Sequence, residues 1–448
     1  MRNHFVLFLA TFVINLGFGQ EQVAEKSSFT LDEAISFALE NNYSAINANR
    51  DIIDAQKQKW ETIATGLPQI DGNISYQNQL KQPVSLIPAE FFGGEPGTFQ
   101  PITFGQPQQA VATATLRQQI FDGSYIVGVQ ATKAFLRYSA NNKEKTDLEV
   151  RKAVTEAYGN VLLAQESVAI LEKNKTTLEK NLFETQKLFE NGLGDEESVE
   201  QLQITLSSVE NQLKNAVRLN HITLQMLNLV MGIAIDAPTQ LSENLDNLAQ
   251  KQIDLQLLET EFNIENNVDY KLVENLNEQR YFEHKLAKSR ALPTLNAFIN
   301  YGSSAFADNF NFLNGDQEWF DSSVLGFDLS IPLFSSGKRS ASTARARIAM
   351  EKAKTEKQEA EEQIRLQLEN AKSEYQLAVE EYQTAKDNLG LAERIENKNQ
   401  IKYSEGIASS FELRQAQTQL YDAQQGYLQS MVEVINKKTN LETILNEK

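Results

Sequence analysis

Residues 364–392 read IRLQLENAKSEYQLAVEEYQTAKDNLGLA, and this stretch decides the fold. Its apolar residues recur at spacings of four and three: Ile364, Leu368, Ala371, Tyr375, Ala378, Tyr382, Ala385, Leu389 and Ala392. Sustained over heptad after heptad, the pattern predicts a coiled-coil seam rather than the broader stripe of a globular helix. Every seventh residue from Ala371 to Ala392 is alanine, which lets a neighbouring helix come close while Tyr and Leu fill the gaps.

The pattern lapses at Glu396 and Asn399 and turns at Tyr403-Ser404-Glu405-Gly406-Ile407. A second seam follows through Leu413, Ala416, Leu420, Ala423, Tyr427, Val434, Leu441 and Ile444. Two long helices joined at a glycine-containing turn make a helical hairpin. At about 1.5 Å per residue, Gly337 to Glu405 spans roughly 100 Å, too long for a single globular core. The sequence predicts a rod.

The rod occurs twice. Subtracting 214 from the first seam gives Val150, Val154, Ala157, Val161, Ala164, Val168, Leu171, Lys175 and Leu178, apolar at all but Lys175. The turn maps to Gly192-Leu193, and the return seam maps to Val199, Leu202, Leu206, Val209, Leu213 and Ala216. Gly337, just before the rod, maps to Gly123. A gap-free register over this length marks an internal duplication.

Ahead of each rod lies a second repeated block. Thr30-Leu31-Asp32-Glu33 is a capping box, from which one helix is expected to run to about Ala64 and stop at Gly66-Leu67-Pro68. At an offset of 225, Glu40-Asn41-Asn42 maps to Glu265-Asn266-Asn267, and Leu67-Pro68 maps to Leu292-Pro293. The change of offset means that the first copy holds 11 extra residues, placed in a loop carrying Pro83, Pro88, Pro96, Pro101 and Pro107. Segments of alternating polarity flank each loop. Leu325, Phe327, Leu329, Ile331 and Leu333 alternate with Gly326, Asp328 and Ser330; Leu295, Ala297, Ile299 and Tyr301 with Asn296 and Asn300; Ile70, Ile74 and Tyr76 with Asp71, Asn73, Ser75 and Gln77. The segment from Ala110 to Phe121 alternates poorly. Strands of about ten residues, apolar on one face, fit transmembrane β-strands, and a soluble sheet on a core gives the same alternation. Four strands do not close a barrel, and open edges are not tolerated in lipid, so a membrane reading requires several chains to share one barrel.

The chain has 448 residues, 23% charged and 41% apolar. Its beginning reads as a secretory signal over residues 1–19: Arg2 and His4, an apolar run from Phe5 to Phe18, and small Gly17 and Gly19 before Gln20. Removal after Gly19 leaves 41 basic against 60 acidic residues, a net charge of -19, which disfavours a nucleic-acid partner. The absence of cysteine excludes disulfides, thiol chemistry and a lipid-anchored mature N-terminus. Beyond the signal only His221 and His284 remain, each alone on a predicted helix, so neither a catalytic nor a metal site is expected, and no cofactor. Acidic pairs such as Glu361-Glu362 and Glu380-Glu381 read as solvated helix faces, and no phosphate-binding glycine loop supplies energy. Lys338, Arg339, Arg345 and Arg347 crowd the start of the second rod, facing either anionic groups at the inner membrane surface or solvent and lumen.

Signal, helix, Leu-Pro, strand pair and heptad hairpin with a glycine turn, all repeated once, resemble the TolC-like outer-membrane efflux protein family over nearly the whole mature chain. The resemblance implies a mainly α fold with a β-barrel portion. A homotrimer would build one twelve-stranded outer-membrane barrel that continues into a periplasmic α-helical barrel. It divides the chain into a first repeat (20–232), an equatorial segment (233–263, with extra material over 237–262) and a second repeat (264–448). It implies a passive exit duct of a tripartite efflux or type I secretion system, in the outer membrane of a Gram-negative bacterium. The partners would be a periplasmic adaptor (membrane fusion protein), an inner-membrane pump and outer-membrane lipid.

The family's adaptor-docking turn matches Gly192-Leu193-Gly194 and Gly406-Ile407-Ala408, where glycine also closes the turn. The resemblance places a periplasmic gate six and nine residues past the second turn glycine, at Glu412 and Gln415, so one of the family's two carboxylates is kept and one is replaced, with Arg414 between them. Glu412 also suits the first turn of a helix. The resemblance makes Leu325, Phe327, Leu329 and Ile331 the expected lipid-facing strand. The competing class is a soluble periplasmic coiled-coil scaffold, which explains the heptads but not the paired strands before each rod.

Overall fold

A computed structural model describes residues 28–446; the signal segment lies outside them. After the short strand β1 (Ser28–Phe29) come helices α1 (Leu31–Asn41) and α2 (Tyr43–Ala64). Strands β2 (Gln69–Asn78), β3 (Val84–Pro88), β4 (Phe99–Thr103) and β5 (Gln108–Asp122) lead into the hairpin α3 (Gly123–Glu190) and α4 (Glu196–Met231). The inter-repeat segment holds β6 (Gln240–Leu241) and α5 (Leu245–Lys251). The second copy follows as α6 (Val268–Ser289), β7 (Thr294–Ala307), β8 (Phe320–Ser330), α7 (Lys338–Ser404) and α8 (Ser410–Leu445).

The long helices contain 68 and 67 residues, each about 100 Å. Nearly every predicted seam residue of α7 is buried, from Ile364 through Ala392, with Ala385 and Leu389 half-buried. Along α3, Val150, Val154, Val161, Ala164 and Leu178 do the same. The exception, Lys175, leaves the seam to face Glu210 of α4 at 3.4 Å and Glu179 at 3.5 Å. The shorter helices cover successive lengths of the long ones. Helix α2 packs at the strand end of α3 and α4 at the turn end, with α6 and α8 disposed likewise on α7.

The capping box at Thr30 and Glu33 is present, but the expected single helix over 31–64 is two. Asn42 takes an extended backbone, ends α1, and caps α2 by accepting from the N–H groups of Ser44 and Ala45. An asparagine inside an apolar pattern is a weak stop signal, since it competes for the backbone only where the tertiary fold uses it.

The main sheet has four antiparallel strands in the order β2-β5-β7-β8. Strand β5, weakest in the sequence, is the longest at 15 residues. Its alternation was masked for two reasons. Its apolar face is alanine at 110, 112 and 114, and a bulge at Ile120 reverses the parity before Phe121. Strand β8 ends at Ser330, so Ile331 and Leu333 lie beyond it: Pro332 cannot donate to the ladder. The proline-rich loop is not structureless, because β3 and β4 pair within it as a second hairpin.

Candidate functional site: sheet face, helical tips and equatorial joints

The register sorts the sheet into two chemically distinct faces. Ile70, Leu116, Ile299 and Leu325 lie in one row across all four strands. Phe121, Leu295 and Leu329 form another on the same face, with Ala297 and Phe327 opposed between them. Ile70, Ile74, Ile299, Leu325, Phe327 and Leu329 are all exposed. The other face is mixed but mainly polar: it carries Asp71, Asn73, Ser75, Thr113, Thr115, Arg117, Asn296, Asn300 and Asp328 together with Val111, Phe298 and Val324, and Arg117 is bonded to Asp71 at 2.8 Å. Three of the four expected lipid-facing residues share the apolar face; Ile331 is exposed but outside the strand. Both edge strands, β2 and β8, have an unpaired side in the protomer.

The opposite end of the molecule is two turns built alike. Gly192 (φ 74°) and Gly406 (φ 71°) adopt the left-handed conformation that closes a helix end. Leu193 N–H then donates to the Leu188 carbonyl, and Ile407 N–H to that of Lys402. The next residues, Leu193 and Ile407, stand 78% and 70% exposed. The return helices are capped differently. Asp195 accepts from the Ser198 N–H (2.7 Å) and hydroxyl (3.0 Å), which hold its carboxyl below the usual range. Ser409 and Glu412 form a reciprocal capping box, and the Ser409 N–H and hydroxyl on its carboxylate lower the Glu412 pKa. Gln415 is exposed one turn along, and the Arg414 guanidinium lies over the Phe411 ring.

Polar side chains fasten the two hairpins side by side toward these tips. Asn174 donates to Gln424, Asn181 and Gln400 exchange two hydrogen bonds at 3.0 Å, Thr185 meets the Tyr403 hydroxyl at 2.6 Å, and Ser198 donates to Ser410. These partners were not foreseen from the sequence. Asn174, Asn181 and Thr185 are buried at spacings of seven and four on α3, a polar stripe at helical spacing beside its apolar seam, which is the signal that could have found them. Glu396, where the seam lapses, is half-buried, and burial raises its carboxyl pKa.

At the middle of the rods the copies repeat one joint. The Asn42 amide donates to the Val230 carbonyl, and its counterpart Asn267 donates to that of Ile444. Each capping asparagine thereby ties the start of one short helix to the end of the other. Around these joints β1 pairs with β6, α5 packs on α8, and the main core gathers Tyr158, Tyr375, Leu227, Met231, Leu245, Leu248, Ile435 and Leu441. His221 and His284 stand apart on α4 and α6, and among the described residues no group of three or more His, Asp or Glu could hold a metal. No described helix is long and apolar enough to cross a membrane.

A sheet with one apolar exposed face, set on duplicated helical hairpins far longer than a bilayer is thick, defines a class of channel-forming proteins that pass from membrane to aqueous space. The chain belongs to the outer membrane efflux protein family, whose profile matches residues 34–232 and 277–447. It is an outer-membrane channel of the Gram-negative envelope with a large periplasmic portion, and the soluble-scaffold alternative falls. No curated protein matches it by sequence. Among solved structures, the outer membrane protein VceC of Vibrio cholerae is 16% identical with a TM-score of 0.69, over 93% of this chain and 95% of that one. The CmeC outer membrane channel of Campylobacter jejuni is 17% identical with a TM-score of 0.72, over 93% and 85%. The MtrE channel of Neisseria gonorrhoeae, solved in an open state, is 16% identical with a TM-score of 0.70, over 93% and 88%. At such identities the likeness is one of fold.

Proposed function

We propose that three copies of this chain close their sheets into one twelve-stranded barrel and their hairpins into one periplasmic conduit, and that this trimer is the passive exit duct for an inner-membrane pump. The carrying observation is the sheet itself, with one apolar exposed face, one mainly polar face and two unpaired edges. In lipid each backbone edge must be paired, and pairing β2 of one copy with β8 of the next satisfies every strand. The helices point the same way: Leu219, Ile222, Met226 and Leu229 on α4 recur at spacings of three and four, yet all are exposed in the protomer. That is a second seam awaiting a helix of another copy.

Within this duct the apolar residues of β8 face lipid and the Asp71, Asn73 and Arg117 face lines the lumen. The two tips, through Gly192-Leu193-Gly194 and Gly406-Ile407-Ala408, meet a periplasmic adaptor, because rigid left-handed turns present Leu193 and Ile407 to solvent. Replacing Leu193 or Ile407 by Asp is expected to abolish efflux without lowering the amount of trimer in the membrane; normal efflux by both variants would sink the docking role. Three Glu412 carboxylates around the axis would form the periplasmic gate, with Gln415 lining it without charge. Single-channel recording of Glu412→Gln tests this. Loss of divalent-cation block is expected, and unchanged block leaves Glu412 only its capping role.

A further inference from the structure

The connection between β2 and β5, residues 79–107, is where the first copy exceeds the second, and it builds something the second lacks. Val84, Leu86 and Pro88 of β3 lie opposite Thr103, Pro101 and Phe99 of β4, so that five of six residues on one face of the hairpin are apolar. Val84, Leu86 and Phe99 are exposed, as are Phe91 and Phe92 in the turn and Leu80 and Phe104 at the base, with Leu80 95% exposed. Strands β3 and β4 have each other as their main packing partner. A lone two-stranded hairpin is marginal in water, and an apolar face of this size calls for a cover.

Topology says what lies beside it. Gln79 N–H donates to the Pro107 carbonyl, extending the β2–β5 ladder, so the hairpin continues from the outer end of the β2–β5 pair, at the edge of the sheet. In the barrel proposed above, β2 adjoins β8 of the next copy, and the outer end of β8 opens into the β7–β8 connection, residues 308–319. That connection leaves Leu313 88% exposed and holds Asp308, Asp316 and Glu318 with no cation, while its Phe310 meets Tyr76 of its own β2 edge-on, the ring centres 5.4 Å apart. Lys81 at the hairpin base is the one cation of 79–107, against the two carboxylates Glu90 and Glu95.

We propose that the β3–β4 hairpin is an intersubunit clasp, its apolar face covered by the 308–319 connection of a second copy of this chain. The inference rests on the three-copy barrel and adds to it a contact outside the strands. Because the chain has no cysteine, it can be tested by cross-linking the Leu86→Cys, Leu313→Cys double variant in isolated outer membranes with a flexible bis-maleimide. Covalent dimers and trimers are expected, and Leu86→Cys alone should give none. Cross-linking by Leu86→Cys alone would set hairpin against hairpin and overturn the proposal. So would the absence of cross-links together with quenching of a fluorophore at position 86 by lipid-soluble quenchers, which would put the hairpin in the bilayer. As an independent reading, replacing residues 84–103 by a short Gly-Ser turn should lower the temperature at which the detergent-extracted oligomer dissociates; an unchanged temperature contradicts the clasp. Native mass of the same samples separates the two failures, since a trimer without cross-links removes the clasp alone, whereas a monomer removes the barrel as well.

Discussion

Gly232 and Asn446 occupy the same place in the two copies, and they solve one problem in two ways. Each follows the return helix of its hairpin, and each adopts a left-handed backbone, at φ 79° and 59°. Next to Gly232 is the carbonyl of Asn41, so near that a Cβ on Gly232 would lie 2.1 Å from its oxygen. Next to Asn446 is the counterpart carbonyl, that of Asn266, which accepts a hydrogen bond from the Asn446 side chain at 2.8 Å. The first copy closes the joint by bare approach and the second through a side chain. Duplication has kept the backbone path and let the chemistry that holds it diverge.

That contrast sets the order of expected effects. Gly232→Ala combines a clash against backbone with left-handed strain, and should cost on the order of 3 kcal/mol, whereas Asn446→Gly should change stability by no more than about 1 kcal/mol. Chemical unfolding of the detergent-extracted protein reads both, and equal losses would show that the joints do not differ as described. Asn42→Ala and Asn267→Ala each remove a helix cap together with a tie to the neighbouring helix end, so each should cost about 2 kcal/mol. If only one of the pair matters, the symmetry of the joints is broken. Lys175→Leu would give the first rod the leucine that the second has at Leu389, and should stabilise it by about 1 kcal/mol, the seam gaining apolar contact and losing only partly exposed ion pairs.

The smallest effect is in the caps at the tips. Asp195 and Glu412 both have carboxyls held below their ordinary range by hydrogen bonds from Ser198 and Ser409. A depressed folded pKa contributes stability that is present above the unfolded value and lost as pH falls through the folded one. Acidification below the usual carboxylate range should therefore loosen both tips, and Glu412→Gln should remove this response at the second tip only, as followed by hydrogen exchange at residues 410–413. A response unchanged in Glu412→Gln would assign it to other groups.

The rods were legible because a heptad seam repeats one physical demand many times, so that a single exception such as Lys175 does not hide it. The strand faces were legible where large apolar residues alternate with Asp, Asn and Ser, and were obscured in β5 by alanines and by one extra residue at Ile120. Other features rest on single residues whose meaning comes from distant partners. Asn42 ends a helix because Val230 offers it a carbonyl, and Asn181 is buried because Gln400 faces it. The β3–β4 pairing was hidden by prolines that read locally as a loop, although Pro88 and Pro101 sit at an isolated two-stranded hairpin, where proline is tolerated. At the tips, the turn glycines were plain in the sequence, while the Glu412 carboxylate is occupied by the N–H and hydroxyl of Ser409, a partner that a reading of Glu412 as a bare first-turn carboxylate leaves out.

The central claim is that the unpaired edges of the sheet are closed by two further copies of the chain. It is tested most directly by the native mass of the protein extracted from the outer membrane in mild detergent. A mass of three chains, obtained only with detergent, is the predicted result. A monomer or dimer released without detergent would contradict it, and would leave the apolar face of β2, β5, β7 and β8 without a membrane to face.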